Sequence, residues 1–170
     1  MTGATTPSID APGAVLTYDV RSVGSMVTQL AREAGVYVIG TGRAADREKT
    51  LDFGAMEFVD LENDALEDVG GVDLVFDVIG GDIQKRSAAL IKAGGTLVII
   101  AGPLEARPAD GLAVDFVVLP DRAQLGEIVQ RVRDRRLQTN IGNVATLNDA
   151  VTAFNPTERI SGQTIIRIRA

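Results

Sequence analysis

A phenol, a carboxylate and a guanidinium stand close together in this chain, at Tyr18, Asp19 and Arg21. They follow the apolar run Ala14-Val15-Leu16-Thr17, which reads as a short buried strand ending at Tyr18. In an open α/β sheet, ligands sit beyond the carboxyl ends of the strands. The set is therefore placed where it could hold a carbonyl or enolate oxygen and move a proton. The other reading is that Asp19 and Arg21 pair and brace an irregular loop, as loop ion pairs commonly do. Asp77 ends a second apolar run and is a further catalytic candidate. A buried carboxylate there could act as an acid, or its oxygens could cap nearby backbone groups. The chain has no cysteine and no histidine. Thiolate nucleophiles, imidazole bases, disulfides and His/Cys zinc sites are excluded, and no metal is expected. Acid–base chemistry falls to Asp, Glu, Tyr, Lys or solvent.

The elements that must position these groups alternate strand and helix, which predicts an α/β doubly wound sheet in a single domain, residues 13–170. Strands are expected at 14–18, 36–41, 56–60, 72–78, 96–101, 113–119 and 164–169. Helices are expected at 23–35, 44–53, 64–69, 83–92, from Asp121 as cap to about Arg135, and at 147–154. Gly54 stops the second helix, and Gly94-Gly95 is read as the stop of the helix at 83–92. Residues 1–12, rich in Thr, Ser, Pro and Gly, read as a short disordered leader and not as a signal peptide. With 170 residues, 45% of them hydrophobic, the chain is long enough for a real core. Its formal net charge of -6 argues against nucleic acid or an anionic membrane as partner. No apolar run is long enough to span a bilayer, and a cytoplasmic location is the default.

The first strand-to-helix loop, Asp19-Val20-Arg21-Ser22-Val23-Gly24, occupies the place of a Gly-x-Gly-x-x-Gly fingerprint. In that fingerprint the first glycine makes the tight turn, the second admits a pyrophosphate, and the third allows close helix–strand packing. Here the first is Asp19 and the second Arg21, and only Gly24 remains. The packing position is kept and the ligand positions are rebuilt. An aspartate beside a pyrophosphate would also repel it.

Taken in order and spacing, several stretches resemble the medium-chain dehydrogenase/reductase superfamily, in its quinone-oxidoreductase branch with likeness to zinc-type alcohol dehydrogenases. They are Val23-Gly24-Ser25-Met26-Val27-Thr28-Gln29-Leu30-Ala31, Phe53-Gly54-Ala55, Val72-Asp73-Leu74-Val75-Phe76-Asp77-Val78-Ile79-Gly80-Gly81, Gly94-Gly95-Thr96-Leu97-Val98, Leu119-Pro120-Asp121-Arg122-Ala123-Gln124-Leu125 and Ser161-Gly162-Gln163-Thr164-Ile165-Ile166. The resemblance implies a Rossmann-like cofactor domain with strand order 3-2-1-4-5-6 and a crevice between strands one and four. It covers that domain only. The family's N-terminal catalytic domain has no counterpart before the first strand, and the leader suggests a natural gene start. In the family, Gly40-Thr41-Gly42-Arg43 suggests NADP, with Arg43 facing the 2′-phosphate; the alternative is a surface arginine in a loop. If NADPH is bound, Gly24, Thr41, Arg43, Gly80 and Gly102 are the cofactor-binding candidates. Ile79, Gly80 and Gly81 would line the crevice floor, with Gly102 and Pro103 closing strand five beside it.

Other features carry less. Phe116 and Val117 read as dimer or core residues. Arg131, Arg133, Arg135 and Arg136 read as a solvated basic face at a helix C-terminus. The family's dimer edge at strand six, and a last strand lacking its usual partner domain, lead us to expect a homodimer. Three functions are weighed. The expected one is a non-redox domain that binds a small organic molecule in the old crevice, with no cofactor favoured, and catalyses an isomerisation or cyclisation in secondary metabolism. The second is an NADPH-binding domain of a quinone-oxidoreductase-like enzyme that needs a separate catalytic part. The third is a silent dimeric interaction domain.

Overall fold

The computed structural model describes residues 13–18, 22–115, 118–157, 160 and 162–169. The expected leader lies outside them, as do Phe116 and Val117. Six strands form one parallel sheet: β1 (Ala14–Tyr18), β2 (Tyr37–Gly42), β3 (Glu57–Asp60), β4 (Val72–Asp77), β5 (Ile91–Ile99) and β6 (Gly111–Asp115). Their order is β3-β2-β1-β4-β5-β6, the doubly wound arrangement expected. β1 is buried along its whole length between β2 and β4, which is why it reads as a nearly continuous apolar run. Leu16, Ile39, Val75, Leu97 and Ile99 form the centre of the core, with Leu66 and Tyr18 packed into the same cluster.

Helices α1 (Val23–Glu33), α2 (Arg47–Asp52) and α3 (Gly81–Ala88) pack on this sheet. The buried face of α1 is made of small and polar residues, Gly24, Ser25, Thr28 and Gln29. Thr28 meets Thr17 of β1, hydroxyl to hydroxyl, at 3.1 Å. Gln29 grips the chain after α4 from both sides: its amide donates to the Gln138 carbonyl at 3.0 Å and its oxygen accepts from the Gln138 N–H at 2.7 Å. Helix α4 (Arg122–Arg133) begins at Asp121, whose carboxylate accepts from the Ala123 and Gln124 N–H groups, as the capping rule predicts. No residue of α4 is buried.

Three elements depart from expectation. The helix expected at 64–69 is a single 3-10 turn, Leu66–Val69. The helix expected to reach Lys92 ends at Ala88, because Ile91 already pairs with Val72 and the Val72 N–H takes the Leu90 carbonyl. Gly94 and Gly95 then lie inside β5, where the pairing with β4 shifts register, and Gly94 takes φ 77°. The glycines permit an irregular strand and do not stop a helix. The expected helix at 147–154 is shorter, α5 (Ala150–Phe154), and a strand not expected precedes it, β7 (Ile141–Thr146). β7 pairs in parallel with β8 (Gln163–Arg167) in a separate two-stranded sheet. Gly142 and Asn143, both poor strand formers, hide β7 in the sequence.

Gly40 sits in β2 directly against α2. A Cβ there would stand 2.1 Å from Thr50 Cγ2. Thr50 is fully buried and its hydroxyl donates to the Asp46 carbonyl at 2.7 Å, so its rotamer is held. Gly40→Ala should therefore lower the unfolding free energy by about 1–3 kcal/mol in urea titrations. Adding Thr50→Ser, which removes the methyl and keeps the hydroxyl, should recover most of that loss; equal losses in both backgrounds would refute the clash.

A bidentate pair ties α3 to the 3-10 turn: Arg86 Nε and Nη2 donate to Glu67 at 2.6 and 2.8 Å. These bonds hold the Glu67 carboxyl down to about 2 from an ordinary 4.5. A depressed folded-state pKa gives stability that is present above the unfolded value and lost as pH falls from 4.5 toward 2. The stability gap between the wild type and Glu67→Gln should accordingly narrow over that acid range. A gap constant from neutral pH down through the acid range would show that the pair contributes nothing.

Candidate functional site

Strands β1 to β5 end along one edge of the sheet, at Tyr18, Gly42, Asp60, Asp77 and Ile99. The geometry there is set first by Asp77, which is fully buried. One carboxylate oxygen accepts from the backbone N–H groups of Ile79 and Gly80, each at 2.9 Å, and the other accepts from Gln84 Nε2 at 3.0 Å. Gln84, also fully buried, passes the restraint on: its Oε1 accepts from the Glu105 and Ala106 N–H groups at 2.7 and 3.3 Å. Every oxygen of Asp77 thus serves the β4–α3 turn and α3, the capping role among its two readings. Gly80 has φ 78°, and a Cβ on it would lie 2.9 Å from the Ala101 carbonyl oxygen. The turn that carries Ile79 can approach the end of β5 only with glycine there.

Tyr18 is fully buried, and its hydroxyl bonds to Ser87 Oγ. Ser87 gives its own hydrogen to the Ile83 carbonyl at 2.6 Å, so Tyr18 is the donor. Burial pushes the phenol well above its ordinary pKa; the Ser87 bond acts the other way and the Asp77 charge adds to the rise. The ring ties β1 to α3 and stands off the crevice. Thr41 is likewise fully buried, donating to the Thr17 carbonyl at 3.3 Å. Gly24 is buried in the first turn of α1. Gly102 has φ 130° with open space around it. Asp19 and Arg21 lie outside the described residues.

Arg43 does reach a cavity. A cleft of about 450 Å³ opens between the ends of β2, β3 and β4, within the range of small-molecule sites. Leu61, Val78, Ile79 and Ile83 give it apolar walls, and Gly42, Arg43, Asp46 and Glu62 give it a polar mouth. Since β1 runs between β2 and β4, the cleft straddles the point where the strand order reverses. Arg43 Nε lies 3.2 Å from a Glu62 oxygen. Of the residues expected at the crevice floor, Ile79 lines this cleft and Gly80 shapes the turn behind it. Asp46, Leu61, Glu62, Ile83 and Gln84 were missed. The acid-rich run Asp60-Leu61-Glu62-Asn63-Asp64 after β3 was a usable signal for Glu62; the sequence offers none for Gln84.

The basic cluster is held elsewhere. Arg131 and Arg136 both meet Glu33 at the end of α1, so part of the expected solvated face is engaged in ion pairs. Among the described residues no group of three or more His, Cys, Asp or Glu could hold a metal ion. No helix among them is long and apolar enough to cross a membrane.

Residues 22–146 match the family described as zinc-binding dehydrogenase. No curated protein matches the chain. Among solved structures it is similar to the quinone oxidoreductase from Coxiella burnetii, with TM-score 0.79 and 21% identity over 95% of this chain and 54% of that one. An NAD-dependent alcohol dehydrogenase gives TM-score 0.76 and 20% identity over 95% of this chain and 52% of the other. A mycobacterial protein complexed with NADPH gives 0.70 and 21% over 93% and 57%. The chain spans a little over half the length of these structures, and at such identities the likeness concerns the fold.

Asp77→Asn tests the buried network. The new amide would face Gln84 Nε2 donor to donor. Turning Gln84 over would set its amide against the Glu105 and Ala106 N–H groups instead. This isosteric change should cost about 1–3 kcal/mol in denaturant unfolding, and a neutral result would mean that the network does not hold the turn.

Proposed function

The chain belongs to the zinc-binding dehydrogenase family, and from that premise we propose that it is the cofactor-binding domain of a quinone-oxidoreductase-like enzyme. It binds NADPH along the carboxyl edge of the sheet. The observation that carries this reading is the cleft at the strand-order reversal, apolar within and bearing Arg43 at its mouth. Leu61, Val78, Ile79 and Ile83 offer a flat apolar slot suited to an adenine ring, and Arg43 a guanidinium suited to a ribose 2′-phosphate. When bound, such a cofactor supplies a hydride. The residues of this chain bind and orient it. The groups that would activate a substrate belong to a separate catalytic part.

The expectation that no cofactor is favoured gives way here. The expected isomerisation or cyclisation without cofactor finds no support: the family and the fold's relatives are dehydrogenases and reductases, and Tyr18 and Asp77 are committed to packing and capping. The zinc in the family's description does not fit this chain. With no cysteine or histidine, the usual sulfur and nitrogen ligands are missing, and no step is derived through the metal.

Titration with NADPH, read by the cofactor's own fluorescence, tests the proposal cleanly because the chain has no tryptophan. Saturable binding is expected, and Arg43→Gln should weaken NADPH about tenfold while changing NADH less than twofold. Absence of saturation at millimolar cofactor would dismiss the cofactor reading.

A further inference from the structure

The guanidinium that faces the cleft is not free. Arg43 Nε is engaged by the Glu62 carboxylate at 3.2 Å, across the ends of β2 and β3. Both side chains are more than half exposed, so the pair itself adds little to stability. Its position is nonetheless built. The Leu61 N–H donates to the Gly42 carbonyl at 2.9 Å, locking the turn after β3 to the end of β2. The Glu62 N–H donates to Asp60 Oδ1 at 3.1 Å, and Asn63 Nδ2 donates to Asp60 Oδ2 at 2.7 Å. The Asp60 N–H in turn donates to Asp64 Oδ2 at 2.9 Å. The Asn63 bond, chief among these, holds the Asp60 carboxyl below its ordinary range, so Asp60 stays ionised to accept both donors. Glu62 is therefore presented at the mouth by a wound turn and not by a floppy loop.

A second carboxylate stands near. Asp46 lines the same mouth, and its Cβ and Oδ2 lie 3.5 and 3.6 Å from where a Gly42 Cβ would be. The other nearby cation, Arg47, lies over the Phe58 ring at 5.7 Å and is not among the residues lining the cleft. Among the described residues the mouth carries one lining cation, Arg43, against two lining anions, Asp46 and Glu62.

We propose that Glu62 is a specificity-determining residue that sets which nicotinamide cofactor this cleft prefers. The inference rests on the cofactor reading above. A ribose 2′-phosphate needs Arg43 and brings about two negative charges to within a few ångströms of Glu62. It must draw the guanidinium away from Glu62 or share it, and in both cases it meets the carboxylate's repulsion. A ribose with a free 2′-hydroxyl carries no charge there and can donate to Glu62. Arg43 thus favours the phosphorylated cofactor, and Glu62 offsets that preference from the end of β3. The acid that usually selects the unphosphorylated ribose sits at the end of the second strand; in this chain that place belongs to Arg43, and the carboxylate arrives from the neighbouring strand.

The test uses the full chain and four proteins: wild type, Glu62→Gln, Arg43→Gln and the double variant. Dissociation constants for NADPH and NADH are read by cofactor fluorescence at low and high salt. Glu62→Gln should tighten NADPH about fivefold at low salt and leave NADH within twofold. The gain should vanish in the Arg43→Gln background and shrink at high salt. Circular dichroism checks that each variant folds, and the exposure of both side chains makes loss of folding an unexpected result. If the wild type binds NADPH but Glu62→Gln shifts both cofactors equally, or neither, the specificity role is overturned and the cofactor reading stands. If no protein binds either cofactor, both are overturned.

Discussion

The side-chain oxygens of Asp77 are buried where water cannot answer them, and buried polar atoms persist only when protein donors satisfy them. Two backbone N–H groups and the Gln84 amide do so. That requirement fixes the β4–α3 turn, and the turn carries Val78 and Ile79, two walls of the cleft. Because Gln84 can face Asp77 only with its nitrogen, its oxygen is left to accept from Glu105 and Ala106. One buried side chain thereby sets the orientation of an amide two steps from the sheet and the path of the segment after β5. Gly80 completes the constraint, since the turn that Asp77 demands runs against the Ala101 carbonyl.

The same economy of contact holds the other layers. The buried residues of α1 and α2 are small or polar, with Thr28 on Thr17 and Thr50 over Gly40. Small side chains let helices approach closely, and hydroxyls bonded to carbonyls or to one another add no unsatisfied group.

The sheet was legible because parallel strands covered on both faces are written as apolar runs. All six strands of the main sheet and their order followed from that pattern and from the resemblance it carried. Misreadings arose where glycine has two meanings. Gly94-Gly95 signals a helix stop as readily as a strand irregularity, and only the pairing of Ile91 with Val72 decides between them. β7 was hard to see because its partner β8 is over a dozen residues away and Gly142 and Asn143 interrupt its strand-forming residues. At the site, a polar residue at a strand end reads as facing ligand, whereas the buried Tyr18 hydroxyl bonds to α3 and the buried Thr41 hydroxyl to the neighbouring strand β1. The acid-rich run around Glu62 marks a carboxylate in the sequence, but its meeting with Arg43 depends on β3 lying beside β2, which no local window contains.

The polar residues of this domain fall into two sets with different duties. Thr17, Thr28, Thr41, Thr50, Asp77 and Gln84 are buried and bonded, and changing them disturbs the layers. Arg43 and Glu62 are exposed at the cleft, and changing them alters the charge a ligand meets with little effect on the fold. The loop that carries Asp19 and Arg21 lies outside the described residues; in sequence it departs from the glycine fingerprint at two positions and keeps Gly24. A domain divided in this way can lose or change its cofactor preference while its fold stays recognisable, so the charge pattern around the cleft is a better guide to what it binds than the likeness of the fold.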